Sequence, residues 1–169
     1  MPETFLQTLR SLATCYQAFE AYSAAHVRAL GLTPPQFDVL VTLGNTAGMS
    51  CRELGERTLI TKGTLTGVLD RLEARRLIRR STGEHDRRSV FVQLSSPGEA
   101  LFGKVFPRHV AHLRPVFDEL NARELKTLEA LLGRLTRRFV PVAGVDGKAA
   151  SPKERMIAAS HRTATRITR

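Results

Sequence analysis

Near the middle of the chain the stretch Ser81–Ser96, STGEHDRRSVFVQLSS, breaks the rule that governs nearly every other segment. Glu84, His85, Asp86, Arg87 and Arg88 crowd a Gly-containing turn, and the alternating run Val90-Phe91-Val92-Gln93-Leu94 follows at once. A period of two belongs to a strand, and a polar turn before it to a hairpin connection. Ile78–Arg80 is the natural partner, so the sequence predicts one two-stranded element with a basic tip. The segments on either side have helical period. The fold class is therefore mainly α with a small two-stranded β-wing, an α+β arrangement in which helices surround one hairpin.

The helices are punctuated by their own caps. Phe5, Leu9, Leu12, Tyr16, Phe19, Tyr22, His26 and Leu30 recur in steps of three and four, which predicts one long amphipathic helix ended by Gly31. Thr33-Pro34-Pro35-Gln36 supplies an N-cap, a proline at the first helical position and a Gln three residues after the cap. That second helix should run to Leu43 and stop at the Gly44–Gly48 turn. Ser50-Cys51-Arg52-Glu53 is another capping box and opens a short helix over Cys51–Thr58. Thr61 is placed to cap a further helix to about Arg75, with Leu65, Val68, Leu69 and Leu72 inward. Two short helices joined by a few residues make a helix-turn-helix pattern. Ser96-Pro97-Gly98-Glu99 repeats the cap signal before a long segment that Pro107 and Pro115 should kink or split. Asn121 with Glu124 caps the last helix, whose Leu125, Leu128, Leu132, Leu135 and Phe139 form a narrow apolar seam. Long helices at both ends of a small chain carry more apolar face than the rest can cover, so a homodimer built on them is expected. The organisation expected is a helical dimerisation region over 1–32 and 96–140, a winged helix-turn-helix over 33–95 and a basic extension over 141–169.

Charge narrows the partners. The 169 residues hold 26 Lys and Arg against 16 Asp and Glu, a formal net charge of +10. Such a balance favours a polyanion, either nucleic acid or an anionic membrane surface. No apolar run approaches the ~18 residues of a transmembrane helix. The start, MPETFLQTLR, puts acid before base with no long apolar segment, so no secretory signal is expected. Cys15 and Cys51 lie far apart with no CxxC spacing, which fits a reducing cytoplasm and two small core residues rather than a disulfide. Beyond Pro141, Lys148, Lys153, Arg155, Arg162, Arg166 and Arg169 face only Asp146 and Glu154, a composition that fits a solvated tail able to add phosphate contacts.

The segment TKGTLTGVLDRLEARR, Thr61–Arg76, carries the sharpest chemistry. Its outer, N-terminal face holds Thr61, Lys62, Gly63, Thr64 and Thr66, short donors and one cation around a helix start. A helix enters a major groove end-on only if its leading residues are slim and can hydrogen-bond bases or phosphates. Gly63 and Gly67 each cost a helix roughly 1 kcal/mol relative to Ala, which close approach of a DNA backbone would explain. Arg87 or Arg88 at a hairpin tip can reach into a narrow minor groove, with Asp86 orienting a neighbouring guanidinium.

Three stretches in order, LTPPQFDVL (Leu32–Leu40), GTLTGVLDRLEARRLIRR (Gly63–Arg80) and DRRSVFVQLSSPGE (Asp86–Glu99), resemble the MarR (multiple antibiotic resistance regulator) family of winged helix-turn-helix transcription factors. The likeness covers about the first 140 residues, and Asp-x-Arg followed by an alternating strand and Ser-x-x-Gly is its most specific part. It implies an intertwined homodimer on a pseudo-palindromic double-stranded DNA operator, with no cofactor, no metal and no membrane partner. By the resemblance, DNA contacts fall to Ser50, Arg52, Thr61, Lys62, Thr64, Thr66 and Arg71 around the reading helix, and to Arg87 and Arg88 in the wing. Two positions depart from the family. Many members have Arg where this chain has Gly67, and many have Gly where it has Arg76, so the helix should end without a left-handed glycine.

The resemblance also implies a repressor released by a small aromatic or phenolic acid held between the dimer helices and the DNA-reading lobe. Phe19, Tyr22, His26 and Phe37 would line that junction and Arg28 would meet the carboxylate, although aromatics at helical spacing equally describe a core. A branch of the family senses peroxide through a thiol held by tyrosines; Pro34 stands at one tyrosine position, which leaves Cys15 without that partner. His109 and His112 resemble half a metal site, but no third ligand has matching spacing, so a solvated pair is predicted. His85-Asp86 lacks flanking ligands in the same way. GxSxG, a Gly-rich phosphate loop and HExxH are all absent, so no enzyme is expected. Two other readings of the chain are a basic winged-helix adaptor that binds protein or membrane without sequence readout, and a thiol-based redox regulator.

Overall fold

The computed structural model describes residues 2–58, 60–82 and 90–139, with the backbone alone at Pro2, Glu3 and Lys62. The helices are α1 (Pro2–Ala29), α2 (Pro34–Leu43), α3 (Cys51–Arg57), α4 (Lys62–Ala74), α5 (Ser96–Phe117) and α6 (Ala122–Phe139); the strands are β1 (Met49–Ser50), β2 (Ile78–Thr82) and β3 (Val90–Leu94). The expected hairpin is present, with Ile78 opposite Leu94 and Thr82 opposite Val90. The sheet has one strand more than expected. Met49 and Ser50 pair antiparallel with Val92 and Phe91, so β3 is central in the order β1-β3-β2. Two residues show no periodicity, and their strand exists only because β3 offers an edge.

Caps set most of the boundaries. Thr33 and Gln36 close a reciprocal box, with the Thr33 hydroxyl accepting from the Gln36 amide and the Gln36 side chain accepting from the Thr33 amide at 3.0 Å. Asn121 and Glu124 do the same for α6, at 3.1 and 2.9 Å. At the start of α5 the cap lies one residue earlier than expected: Ser95, not Ser96, accepts from the Gly98 amide at 3.2 Å. That shift follows from packing. Ser95 is buried, its hydroxyl donates to the Arg76 carbonyl and its amide to the Leu77 carbonyl, whereas Ser96 faces solvent. Nor do the prolines divide α5, which runs unbroken through Pro107 and Pro115. Proline's fixed φ is already helical, so each removes one backbone hydrogen bond. Phe102, Val105 and His109, buried along one face, hold the helix across the first of them.

The end of α4 also differs from expectation. Arg76 adopts φ +57°, the left-handed conformation usually given to glycine. Its amide donates to the Glu73 carbonyl at 2.8 Å and that of Leu77 to the Leu72 carbonyl at 2.9 Å, the two bonds of a Schellman ending. The left-handed cap is therefore kept with an arginine in place. At the end of α1, Gly31 makes the equivalent turn at φ +79°, with Leu32 bonding back to Val27.

One core joins these elements: Val27 and Leu32, Val39, Leu40 and Leu43 of α2, Leu54, then Leu65, Val68, Leu69 and Leu72 of α4, Ile78, Val92 and Leu94 of the sheet, and Phe102 and Val105 of α5. The first two-thirds of α1 and most of α6 lie outside it. Phe5 is 66% exposed, Tyr16 49%, Leu132 40% and Phe139 67%. Cys15 is exposed on this uncovered part of α1, against the expectation of a core residue; Cys51 packs against the core as expected.

Candidate nucleic-acid interface

Ser50 is the last residue of β1 and the N-cap of α3, so the sheet fixes where the helix-turn-helix begins. Its hydroxyl accepts from the Glu53 amide at 3.1 Å. The expected box is only half closed, because the Glu53 carboxylate turns to Arg57 at 2.7 Å. Thr58, fully buried, donates its hydroxyl to the Leu54 carbonyl at 2.9 Å and ends α3. Leu65, Val68, Leu69 and Leu72 then bury the inner face of α4 and leave its outer face to solvent.

Thr61, Gly63, Thr64 and Thr66 are all exposed on that outer face. Thr61 occupies the N-cap position, yet its side chain makes no capping bond; its hydroxyl lies 3.1 Å from that of Thr64. The expected cap is thus a position without its hydrogen bond. First-turn amides left without a side-chain acceptor are the donors an anionic oxygen can take up. The Arg71 guanidinium lies back along the helix, Nε donating to the Gly67 carbonyl at 2.9 Å, and a side-chain carbon at Gly67 would stand 3.4 Å from it. On α3, Arg52 is largely exposed and paired with Glu56 at 3.1 Å. The Ser50 hydroxyl is already engaged in the cap. The Lys62 side chain lies outside the described residues.

The hairpin packs on α4 through the shared core, and a charged strap lies over that join. Arg80 of β2 pairs with Asp70, and its Nε comes within 3.3 Å of the Glu73 carboxylate without hydrogen-bond geometry. Sequence reasoning missed this strap; its signal was two acids on one turn of α4 and a base on the strand that follows. Near it, burial pushes the Cys51 thiol above its ordinary pKa, partly offset by Arg80. The tip that joins β2 to β3, with His85, Asp86, Arg87 and Arg88, lies outside the described residues, as does the extension beyond Phe139.

Of the residues expected at a ligand junction, Tyr22, His26 and Phe37 converge through ring contacts with His109 and His112, whereas Phe19 and Arg28 are exposed and lie outside those contacts. Arg28 lies about 200° around the helix from His26 and so faces elsewhere. Where α1, α2 and α5 meet, the rings of Tyr22, His26, Phe37, His109 and His112 contact one another. His109 is buried rather than solvated, and His112 is stacked on His26 with centroids 4.0 Å apart. The expectation of a solvated His109–His112 pair fails because their partners come from α1, some 80 residues away in sequence. Among the described residues no group of three or more His, Cys, Asp or Glu is arranged to hold a metal ion. No described helix is long and apolar enough to cross a membrane.

A helix whose polar N-terminal face is open, braced on one side by an antiparallel hairpin, defines a winged helix-turn-helix protein. The sequence model of the MarR family matches residues 30–89. PecS of Dickeya dadantii (strain 3937), an HTH-type transcriptional regulator, is 38% identical over 112 residues, which are 64% of this chain and 68% of PecS. The crystal structure of AbsC, a MarR family transcriptional regulator from Streptomyces coelicolor, superposes with a TM-score of 0.75 at 27% identity, covering 80% of this chain and 94% of AbsC. Bordetella bronchiseptica BpsR, whose structure concerns regulation of DNA binding by 6-hydroxynicotinic acid, gives a TM-score of 0.68 at 31% identity over 77% of this chain and 98% of BpsR. The chain belongs to the MarR family and is a DNA-binding transcriptional regulator, not an enzyme.

Proposed function

We propose that the protein is a homodimeric repressor that reads a pseudo-palindromic operator through α4 and the wing and is released by a small aromatic or phenolic acid. The observation that carries this reading is the exposed Thr61–Thr66 face at an uncapped helix start, strapped to a hairpin. Thr61, Thr64 and Thr66, with Lys62 and Arg71, meet the major groove; Ser50 and Arg52 flank it; Arg87 or Arg88 enters the minor groove. Residues 33–95 form the reading unit, and 1–32 with 96–140 form the dimer lobe, acting in the cytoplasm. Support for the dimer is the apolar stripe of α6, where Leu128, Leu131, Leu132 and Leu135 stay about 40% exposed or more, together with the uncovered half of α1. Buried against a second copy, such faces supply about 25 cal/mol per Å². Support for the effector is the likeness to BpsR, together with Tyr22, His26 and Phe37 at the meeting of α1, α2 and α5.

Two half-sites about one DNA turn apart, roughly 34–36 Å, suit such a dimer. The test is fluorescence anisotropy on the duplex upstream of the protein's own gene and on a scrambled duplex at physiological salt. Tighter binding to the first is expected, and equal affinities would remove sequence-specific regulation. Arg87→Ala should weaken binding several-fold and lower the salt slope by about one, as loss of one phosphate contact does. An unchanged slope and affinity would take the wing off the DNA.

A further inference from the structure

Three histidines meet where α1, α2 and α5 converge. His26 Nδ1 of α1 lies 3.0 Å from His109 Nδ1 of α5, and Ser23 Oγ lies 3.2 Å from His109 Nε2. His112 stacks on His26 with the planes 7° apart, and Tyr22 stacks on His112 at 4.4 Å while its hydroxyl donates to the His112 carbonyl. Phe37 of α2 presents its edge to His109 at 4.7 Å. Face-to-face rings cannot aim their nitrogens at one point, so this is no metal site.

Proton counting limits what the cluster tolerates. Two imidazole nitrogens 3.0 Å apart need one proton between them: one nitrogen donates and the other accepts. If both rings are charged, two N–H groups face each other and the contact must open. The surroundings oppose the charged forms. Facing the pair are Tyr22 and Ser23 from α1, Arg108 and His112 from α5, and the uncharged Phe37 from α2. Asp38, beside Phe37, is not among the main influences on either ring. Desolvation first, then His112 and Arg108, holds His26 below the ordinary imidazole pKa; desolvation, then His26 and His112, does the same for His109.

We propose that His26, His109 and His112 form a proton-operated clasp between α1 and α5, closed while the His26–His109 contact holds a single proton and opened by further proton uptake. Because α5 begins directly after the wing strand, opening the clasp changes how the winged unit sits against α1. Resting on the proposed operator binding, DNA affinity then falls as pH drops. That sign is diagnostic, since added positive charge alone would strengthen binding to DNA. The stability sign is the same. Folded-state pKa values lie below the unfolded value of about 6.5, so as pH falls past it the unfolded chain takes up protons first. Stability is full above about pH 6.5 and is lost from there down to the lowered folded values.

The test uses the full chain and three readouts between about pH 7.5 and 5.5. Imidazole NMR should show His26 and His109 titrating late and interdependently. Melting temperature should fall with pH, and His26→Phe, which keeps a ring but no proton, should at least halve that fall. Operator affinity at constant ionic strength should drop roughly fivefold or more in the wild type and stay nearly flat in His26→Phe. Ordinary, independent midpoints for His26 and His109, or parallel wild-type and variant profiles, overturn the clasp. If the variant does not fold, the wild-type NMR titration decides. If no duplex is bound specifically at about pH 7.5, operator reading fails while the NMR and melting measurements still judge the clasp.

Discussion

Arg76 occupies the left-handed region at the end of α4 at a cost of roughly 1–2 kcal/mol for a residue with a Cβ. It is exposed, and both bonds of the turn are made by backbone amides, so its side chain is not needed to hold the geometry. Arg76→Gly should therefore raise stability by about 0.5–1 kcal/mol, the relief of strain less glycine's larger unfolded-state entropy. Urea unfolding reads the change directly, and a lower midpoint would mean that the arginine contributes contacts beyond its backbone. Gly98 presents the opposite case. A Cβ there would stand 1.9 Å from the Leu77 carbonyl oxygen, and neither backbone segment can give way. Gly98→Ala should cost at least about 2 kcal/mol, seen as a lowered urea midpoint or loss of soluble protein. A near-neutral outcome would show that α5 can move away from the end of α4.

Among the elements, α6 is stabilised by its own box and carries an apolar stripe that the other described residues leave exposed. Leu132→Glu should leave the fold of one chain within about 0.5 kcal/mol of wild type, because the side chain is already substantially exposed there. In solution the same change should shift the mass by light scattering from dimer toward monomer and abolish tight operator binding. An unaltered mass would count against α6 as the proposed dimer contact. Elements of this kind were legible in the sequence because their signals are local: Thr33 with Gln36 and Asn121 with Glu124 each lie within four residues. What escaped depends on partners far along the chain. Strand β1 is two residues long and owes its existence to β3; Ser95 caps α5 because Arg76 and Leu77 lie against it; His109 and His112 take their environment from α1. The exposure of the outer face of α4 was readable from its short polar residues. The turning of Arg71 over Gly67, and the strap from Arg80, depend on side-chain conformation and on how β2 packs against α4.

For the whole molecule, the excess of 26 basic over 16 acidic side chains predicts operator binding that weakens steeply with salt, each neutralised phosphate adding about 0.9 to the slope. Anisotropy between 50 and 200 mM salt, figures on the order used for such titrations, checks it, and a flat response would count against DNA as the partner. The strands and helices around α4 share one buried core. Their join to α5 is tight: the Ser95 hydroxyl holds the Arg76 carbonyl, and Gly98 lets the first turn lie on Leu77. On the proposed reading of α4, helix α5 is then a lever rooted in the DNA-facing helix. His109, some 20 Å along it, is the handle, and Pro107, which has no amide to bond back, lies two residues before it in an unbroken helix. If the proposed clasp or effector site acts on that handle, its effect reaches the outer face of α4 along α5 and not by direct contact.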